Sequence, residues 1–235
     1  LMRSPSITSR GEHPFTLYGT VIDLFGGGKQ LHRVLARGAG KAVSESGTVT
    51  SDTLDFLMAD GGLARMYAWG PSRARAVNPQ YDILADSLDV RTPGQRVREI
   101  RALRRAVALS LPDTVKLKTR ERDWMHGDTI LARFDSTAPI THADSATQPA
   151  MHQLVALGRA SSYYKIAAKD SSAVGPAINY VRGGSVTIAF HERQVASVTV
   201  TDSVAGVYIE PTPPPKKKAD STAAPAATAT KSPTP

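Results

Sequence analysis

The fold is decided by the segment Leu54–Ala68, which reads LDFLMADGGLARMYA. Apolar residues stand at every second position from Leu54 to Met58, as they do in a half-buried β-strand. Asp60-Gly61-Gly62 then predicts a tight turn. In the following arm the apolar positions step by three residues, from Leu63 to Met66, before alternation resumes. One extra residue in an alternating strand predicts a β-bulge or bend.

The same hairpin-like unit occurs five times along the chain. The first arms begin at Ile22, Leu54, Leu88, Ile130 and Val186, and the second arms at Leu31, Leu63, Val97, Met151 and Val195. Only the fourth unit carries an insertion between its arms, Ser136–Ala150. A supersecondary unit repeated in register predicts a stacked architecture. Because each arm is apolar on one side, the stack should form two facing sheets or one sheet folded along the line of bulges.

One segment, Gln95–Leu109, also fits an amphipathic helix. Val97, Ile100 and Leu103 fall at helical spacing, and the intervening arginine, glutamate, leucine and alanine residues are good helix formers. The same residues align without gaps with the second arms of the other units. We therefore predict a strand here.

Composition favours one extended domain with a polar tail. The chain has 235 residues, 41% hydrophobic content, no cysteine and a net charge of +8. We predict a flexible lead-in over residues 1–14, the repeat domain over 15–210, and a disordered tail rich in Pro, Ala, Thr and Lys over 211–235. No apolar run is long enough to span a bilayer, and Leu1–Pro5 lacks the apolar region of a signal peptide.

Small residues recur after the three-residue step of each unit. They form one column of Ala36, Ala68, Ala102, Ala156 and Val200, followed in three units by Gly38, Gly70 and Gly158. Two interpretations remain open. Either the sheets pack closely at a narrow edge, or the column lines an elongated apolar slot that accepts acyl chains.

Few residues suggest catalysis or metal binding. The six histidines form no H-x-x-x-H or H-x-H pair, so no metal or other cofactor is expected. The sequence has no G-x-S-x-G elbow and no evident catalytic carboxylate pair, which predicts a protein that is not an enzyme. The recurring Asp23, Asp55 and Asp89 lie opposite the apolar positions, and we expect them to be solvated.

The strongest candidate for anion binding is an arginine cluster in the third unit. It comprises Arg96, Arg98, Arg101, Arg104 and Arg105. On a strand these residues would form a basic stripe on the outer face or at a groove rim, able to meet glycolipid phosphates. A solvated charged face is the alternative. Aromatic residues are not interleaved with the cluster, so no nucleic-acid partner is expected.

Three stretches resemble the OstA-like family, the LptA type of periplasmic lipopolysaccharide-transport proteins. They are Gly127–Asp135, Leu154–Ala160, and Val195–Val200 with its continuation Gly206–Pro211. Arms of the pattern D-x-h-x-a alternate in that family with arms of the pattern V-x-A-x-G-x-A. The resemblance covers most of residues 15–211.

The resemblance implies a semi-open β-jelly roll, or β-taco, that holds lipid acyl chains in an apolar groove in the periplasm. Its partners would be lipopolysaccharide or a similar acidic glycolipid, and other β-jelly-roll proteins or further copies joined edge to edge. Carried over by position, the groove lining would be Leu54, Phe56, Met66, Ala68, Leu88, Val90, Ile100, Ala102, Ile130, Ala132, Leu154, Ala156, Val186, Ile188, Val198 and Val200. Two other functions stay open: a structural scaffold that self-associates through its sheet edges, and, more weakly, a polysaccharide-processing enzyme.

Overall fold

A computed structural model describes residues 5–9, 14–28, 30–79, 81–110, 117, 119–135, 150–166, 175–191 and 194–211. The described chain is all-β, as the repeat predicts. Its strands are β1 Ser6–Thr8, β2 Phe15–Tyr18, β3 Val21–Gly27, β4 Gln30–Ser44, β5 Gly47–Ala59, β6 Gly62–Val77, β7 Tyr81–Arg91, β8 Glu99–Ser110, β9 Trp124–Phe134, β10 Met151–Ile166, β11 Ala177–His191, β12 Gln194–Thr201 and β13 Ala205–Ile209. A 3₁₀ turn, Pro93–Gln95, precedes β8.

All 13 described strands belong to one open antiparallel sheet. Strands β4 to β11 pair in chain order, each with the next. At one end β4 pairs with β3 along its first half and with β2 along its second, and β1 pairs with β2. At the other end β11 pairs with both β12 and β13. The pairing of each strand with the next from β3 to β12 is what the stacked hairpins predict.

The sheet is folded back on itself across the long strands. Phe15 pairs with Ser44, and Phe56 pairs with Val34, ten residues earlier on the same strand β4. A straight strand would separate these positions by about 33 Å. The two phenyl rings nevertheless stack with their centroids 5.2 Å apart. The molecule therefore has two limbs that face each other and share one apolar core.

We call limb 1 the part that contains β3, β12 and the halves of β4 to β11 that carry the repeated unit. Limb 2 contains β1, β2, β13 and the other halves of those strands. The limbs meet at a column of corners, where two or more residues on one strand face a single residue on its neighbour. The corners are Gly38–Ala39, Gly70–Arg73, Arg104–Arg105, Gly158–Arg159 and, between β12 and β13, Asp202–Ser203.

Left-handed backbone makes the corners. Gly38 and Gly158 have φ of 75° and 72°, and the second corner residue Arg159 has φ of 48°. A Cβ atom on Gly158 would lie 2.5 Å from a carboxylate oxygen of Asp128, so glycine is required there by both backbone and space. The glycines that follow the small-residue column thus shape the corner.

The predicted β-bulges are confirmed at the three-residue step. Pairing shifts by one residue at His32, Ala64, His152 and Ala196 in units one, two, four and five. The sheet does not fold at these bulges, however. It folds at the corners, several residues farther along each second arm.

The strand prediction for the third unit is also confirmed. Residues Glu99–Ser110 form β8, and Gln95 ends the preceding 3₁₀ turn. Pairing with β7 and β9 satisfies the backbone groups that a helix would have paired internally. Tertiary pairing therefore overrides local helix propensity.

The expectation that the recurring aspartates are solvated is wrong for two of the three. Asp55 and Asp89 are buried, and each accepts two hydrogen bonds from an arginine on an adjacent strand, Arg33 and Arg65 respectively. The long arginine side chains lie over the carboxylates and exclude water from them. Asp23, on β3 at the end of the sheet, keeps a partly exposed pair with Arg37.

Some predicted segments fall outside the described residues. They include the insertion 136–149 and the tail from residue 212 onward. Within the lead-in, Ser6–Thr8 forms β1 and pairs with Thr16–Tyr18.

Candidate functional site

Protein atoms fill the interior beside the corners. Ala36, Ala68, Ala102 and Ala156 all point inward there and are fully buried. Where two limbs diverge from a fold line, only small side chains fit between them. This is the close-packing interpretation of the small-residue column.

Farther from the corners the interior opens into two cavities, and we call this region the mouth. The smaller cavity, about 110 Å³, lies toward the β1 end of the sheet. Phe56, Met66 and Ile100 of limb 1 line it, facing Phe15 and Ala42 of limb 2.

The larger cavity, about 330 Å³, lies between the limbs toward the β13 end. Leu154, Ile188 and Phe190 of limb 1 face Ala108 and Met125 of limb 2 across it. Its volume falls at the lower end of the range for small-molecule pockets, and its wall is mainly apolar. The arrangement suits an apolar chain or ring and offers no catalytic group among these residues.

A buried ion pair lies at the rim of the larger cavity. The side chain of Lys165 is only 3% exposed, and its Nζ lies 2.7 Å from Asp123 Oδ1. Glu121 lies 3.7 Å from the same Nζ and accepts a hydrogen bond from the Tyr163 hydroxyl. Partial burial and this bond to a carboxylate raise the pKa of Tyr163. With two carboxylates against one ammonium, the rim suits the uncharged part of a ligand better than a phosphate.

The predicted groove residues all belong to limb 1 and divide into three groups. Phe56, Met66, Val90 and Ile100 line the smaller cavity, and Leu154 and Ile188 line the larger one. Eight more of the predicted groove residues are buried but line neither cavity: Leu54, Ala68, Leu88, Ala102, Ile130, Ala132, Ala156 and Val186. Val198 and Val200, on the last strand of limb 1, are half-buried.

The arginine cluster is spread along β8 rather than gathered in one place. Arg96 and Arg98 lie at the mouth end of limb 1, and Arg104 and Arg105 form a corner. Between them, Arg101 pairs with Glu99 at 2.5 Å.

Glu99 is the centre of an ion-pair network on the outer face of limb 1. Arg91 and Arg133 also lie within 4 Å of its carboxylate, in addition to Arg101. Burial opposes the ionisation of Glu99, but the hydrogen bond and charge of Arg101, followed by Arg133 and Arg91, hold its pKa below the ordinary value. Arg101 is therefore engaged within the protein.

Both ends of the sheet expose apolar side chains. Val21, Leu24 and Phe25 on β3 are exposed at one end, and Val207 and Tyr208 on β13 at the other. The outer strands also leave backbone groups without a strand partner among the described residues. Such edges can accept a further strand.

Sequence reasoning missed the rim of the larger cavity. Lys165 and Asp123 are 42 residues apart, and nothing in the repeat links them. The one sequence signal is the adjacent Tyr163-Tyr164 pair, which places large side chains on both faces of β10.

No group of three or more metal-ligating side chains occurs in the part of the chain that the structure describes. Nor do the described residues include a helix with the length and hydropathy needed to cross a membrane.

The fold and the mouth define an all-β protein with one open, folded sheet and apolar cavities between its limbs. Neither a protein-family model nor a curated protein matches the chain.

Proposed function

We propose that this protein is a non-enzymatic lipid-binding module that holds an acyl chain in the larger cavity of its mouth. The observation that carries the proposal is the apolar volume of about 330 Å³ between the limbs. The cavity occupies one part of the mouth and does not run as a slot along the whole stack of units. The interior beside the corners is filled by buried side chains.

The proposed cargo is an acyl chain of lipopolysaccharide or of a similar acidic glycolipid, carried within the periplasm. Support for an anionic head group comes from the mouth end of limb 1, where Arg98 is exposed and Arg96 is half-buried. The acyl chain would lie against Ile188 and Leu154, and the head group would remain outside. Cargo and compartment both rest on the family resemblance of the repeated arms.

The proposal is tested with a fluorescent fatty-acid probe, displaced by lipopolysaccharide, and the variant Ala108→Leu. The larger side chain would occupy the cavity, so probe affinity should fall by about tenfold or more, which corresponds to about 1.4 kcal/mol. Folding should be preserved because the added atoms enter existing space. Ala42→Leu is the matched control, since it places the same side chain in the smaller cavity. Equal probe affinity in the wild type and in Ala108→Leu would contradict the proposed acyl site.

A second function, a scaffold that assembles through its sheet edges, is favoured by the exposed apolar residues at both ends. Joining β3 or β1 of one copy to β12 or β13 of another would extend the sheet and cover these side chains. Sedimentation velocity over a range of concentrations tests it. Reversible growth that Leu24→Lys abolishes, without any binding of the lipid probe, would favour the scaffold over the carrier.

A further inference from the structure

Three large apolar side chains form a row on the outer surface of the fold line. Trp69 on β6 and Leu103 on β8 are both strand partners of Ser87 on β7. Leu103 and Leu157, on β8 and β10, are both strand partners of Thr129 on β9. Their exposed fractions are 39%, 37% and 40%. Four strand spacings separate the ends of the row, a length of about 19 Å.

The row belongs to the three central units alone. The same position is Arg37 in the first unit and Thr201 in the fifth. The row is therefore remote from the sheet edges, and strand addition at those edges would leave it exposed. Isolated exposed leucines are ordinary, but here three large apolar residues share one register and are separated only by the small side chains of Ser87 and Thr129.

Arginines stand beside this row at the corners. Arg105 pairs with Asp86 and Arg159 pairs with Asp128, yet the two arginine side chains remain 73% and 87% exposed. Arg73 donates to the carbonyl oxygens of Leu84 and Arg105. These contacts leave the charge of Arg73 without a carboxylate partner.

Arg104 combines a left-handed backbone conformation with a side chain that has no partner among the described residues. It has φ of 63°, at a corner position where other units have Gly38, Gly70 and Gly158. Left-handed backbone disfavours a side chain, so folding alone would favour glycine here. Within the described part of the chain, the Arg104 guanidinium makes no hydrogen bond or ion pair. A residue with strained backbone and no partner within the fold is a candidate for contact with something outside it.

The corner of the second unit adds a groove to this surface. This corner has four residues, Gly70–Arg73, whereas the corners of the first, third and fourth units have two residues each. The space beside it measures about 660 Å³ and is lined by Trp69, Leu103 and Arg104, among others. The protruding corner and the arginines thus flank the exposed indole.

We propose that this corner ridge, comprising Trp69, Leu103, Leu157, Arg73, Arg104, Arg105 and Arg159, docks on the surface of a bilayer that contains anionic phospholipid. Tryptophan and leucine enter the boundary between head groups and acyl chains, and tryptophan is enriched at that depth in membrane proteins. Arginine guanidinium groups match phosphate oxygens in geometry and charge. The ridge is on the opposite side of the sheet from the mouth cavities, so docking is independent of the proposed acyl site.

Tryptophan fluorescence tests the proposal directly. The chain has two tryptophans, and Trp124→Phe leaves Trp69 as the single reporter while keeping a ring against Tyr163. Vesicles of phosphatidylcholine with phosphatidylglycerol should shift Trp69 emission to the blue and carry the full chain into the pellet. Pure phosphatidylcholine vesicles should do neither. If anionic vesicles also leave the emission unchanged, the proposal is overturned.

Matched variants separate ridge chemistry from overall charge. Arg104→Gln should weaken sedimentation with anionic vesicles by about threefold or more, whereas Arg120→Gln removes the same charge from an exposed site before β9 and should leave it unchanged. Arg104→Gly should lower vesicle binding without lowering the melting temperature, because glycine relieves the corner. Leu103→Ser should reduce the blue shift. Equal losses in Arg104→Gln and Arg120→Gln, or equal binding to soluble dextran sulfate without a blue shift, would contradict membrane docking.

Discussion

The corner side and the mouth of the molecule are built from the same repeated arms but pack differently. Beside the corners, alanines such as Ala102 leave no space between the limbs, and every inward side chain of the central strands is buried. At the mouth, larger residues such as Ile188 and Phe190 still leave a cavity of about 330 Å³. Distance from the fold line, rather than hydrophobicity, therefore decides where a ligand can enter.

The largest expected effect is on a side chain in the filled region. Leu54→Ala should lower the free energy of unfolding by about 3–5 kcal/mol, because this fully buried side chain lies beside neither cavity and its loss leaves a void. Leu154→Ala makes the same change at the larger cavity of the mouth, beside existing space, and should cost less than about 2 kcal/mol. Urea denaturation measures both. Equal losses would mean that the two regions are packed alike.

A larger side chain should destabilise the filled region beside the corners but should be tolerated at the mouth. Ala102→Leu forces three extra carbon atoms into a filled interior and should lower the free energy of unfolding by about 1–3 kcal/mol. Ala108→Leu adds the same atoms at the larger cavity, where they find space and bury apolar surface. Its thermal midpoint should equal or exceed that of the wild type. A lower midpoint for Ala108→Leu than for Ala102→Leu would contradict the assignment of the open region.

The corner itself is tested by two glycines with similar backbone. Gly158 and Gly61 have φ of 72° and 76°, so alanine at either costs about 1–2 kcal/mol from conformation. At Gly158 the new Cβ would also meet the Asp128 side chain, whereas at Gly61 it meets no other atom within 4 Å. Gly158→Ala should therefore be the more destabilising change in chemical denaturation. The reverse order would show that the corner can relax.

The smallest expected effect concerns pH and the ion pairs on the outer surface. Hydrogen bonds from Arg75 hold the pKa of Asp82 below its ordinary value against the opposing effect of burial, and Arg122 adds to the shift. The resulting stability is present above the unfolded pKa of about 3.9 and is lost as pH falls through the folded value.

Melting temperatures between pH 7 and pH 2 check this expectation. Asp82→Asn should be less stable than wild type at neutral pH and should lose less stability on acidification. Asp128→Asn is the control, since that carboxylate is half-exposed beside Arg159 and contributes little. Parallel acid curves for wild type and Asp82→Asn would remove the role assigned to Asp82.

The sequence predicted the strands well because the repeat constrains them jointly. Gln95–Leu109 alone favours a helix, and only its alignment with Leu63–Ala68 and the other second arms identifies β8. The one-residue bulges were also predictable, since an extra residue between Leu63 and Met66 breaks alternation.

The corners and the mouth could not be predicted in the same way. Arg104 and Arg105 adopt left-handed backbone without a glycine to indicate it. The cavity depends on how far the limbs separate, which no single arm encodes. The pair between Lys165 and Asp123 joins residues from different units, so it follows from the folded sheet and not from the pattern.

The central claim is that an acyl chain occupies the mouth, and photo-crosslinking tests it most directly. Benzoylphenylalanine in place of Phe190 would lie in the larger cavity, and in place of Phe25 it would lie exposed on β3. After irradiation with lipopolysaccharide, the account predicts an adduct from position 190 and none above background from position 25. An absent adduct at position 190, or equal adducts at both positions, would contradict it.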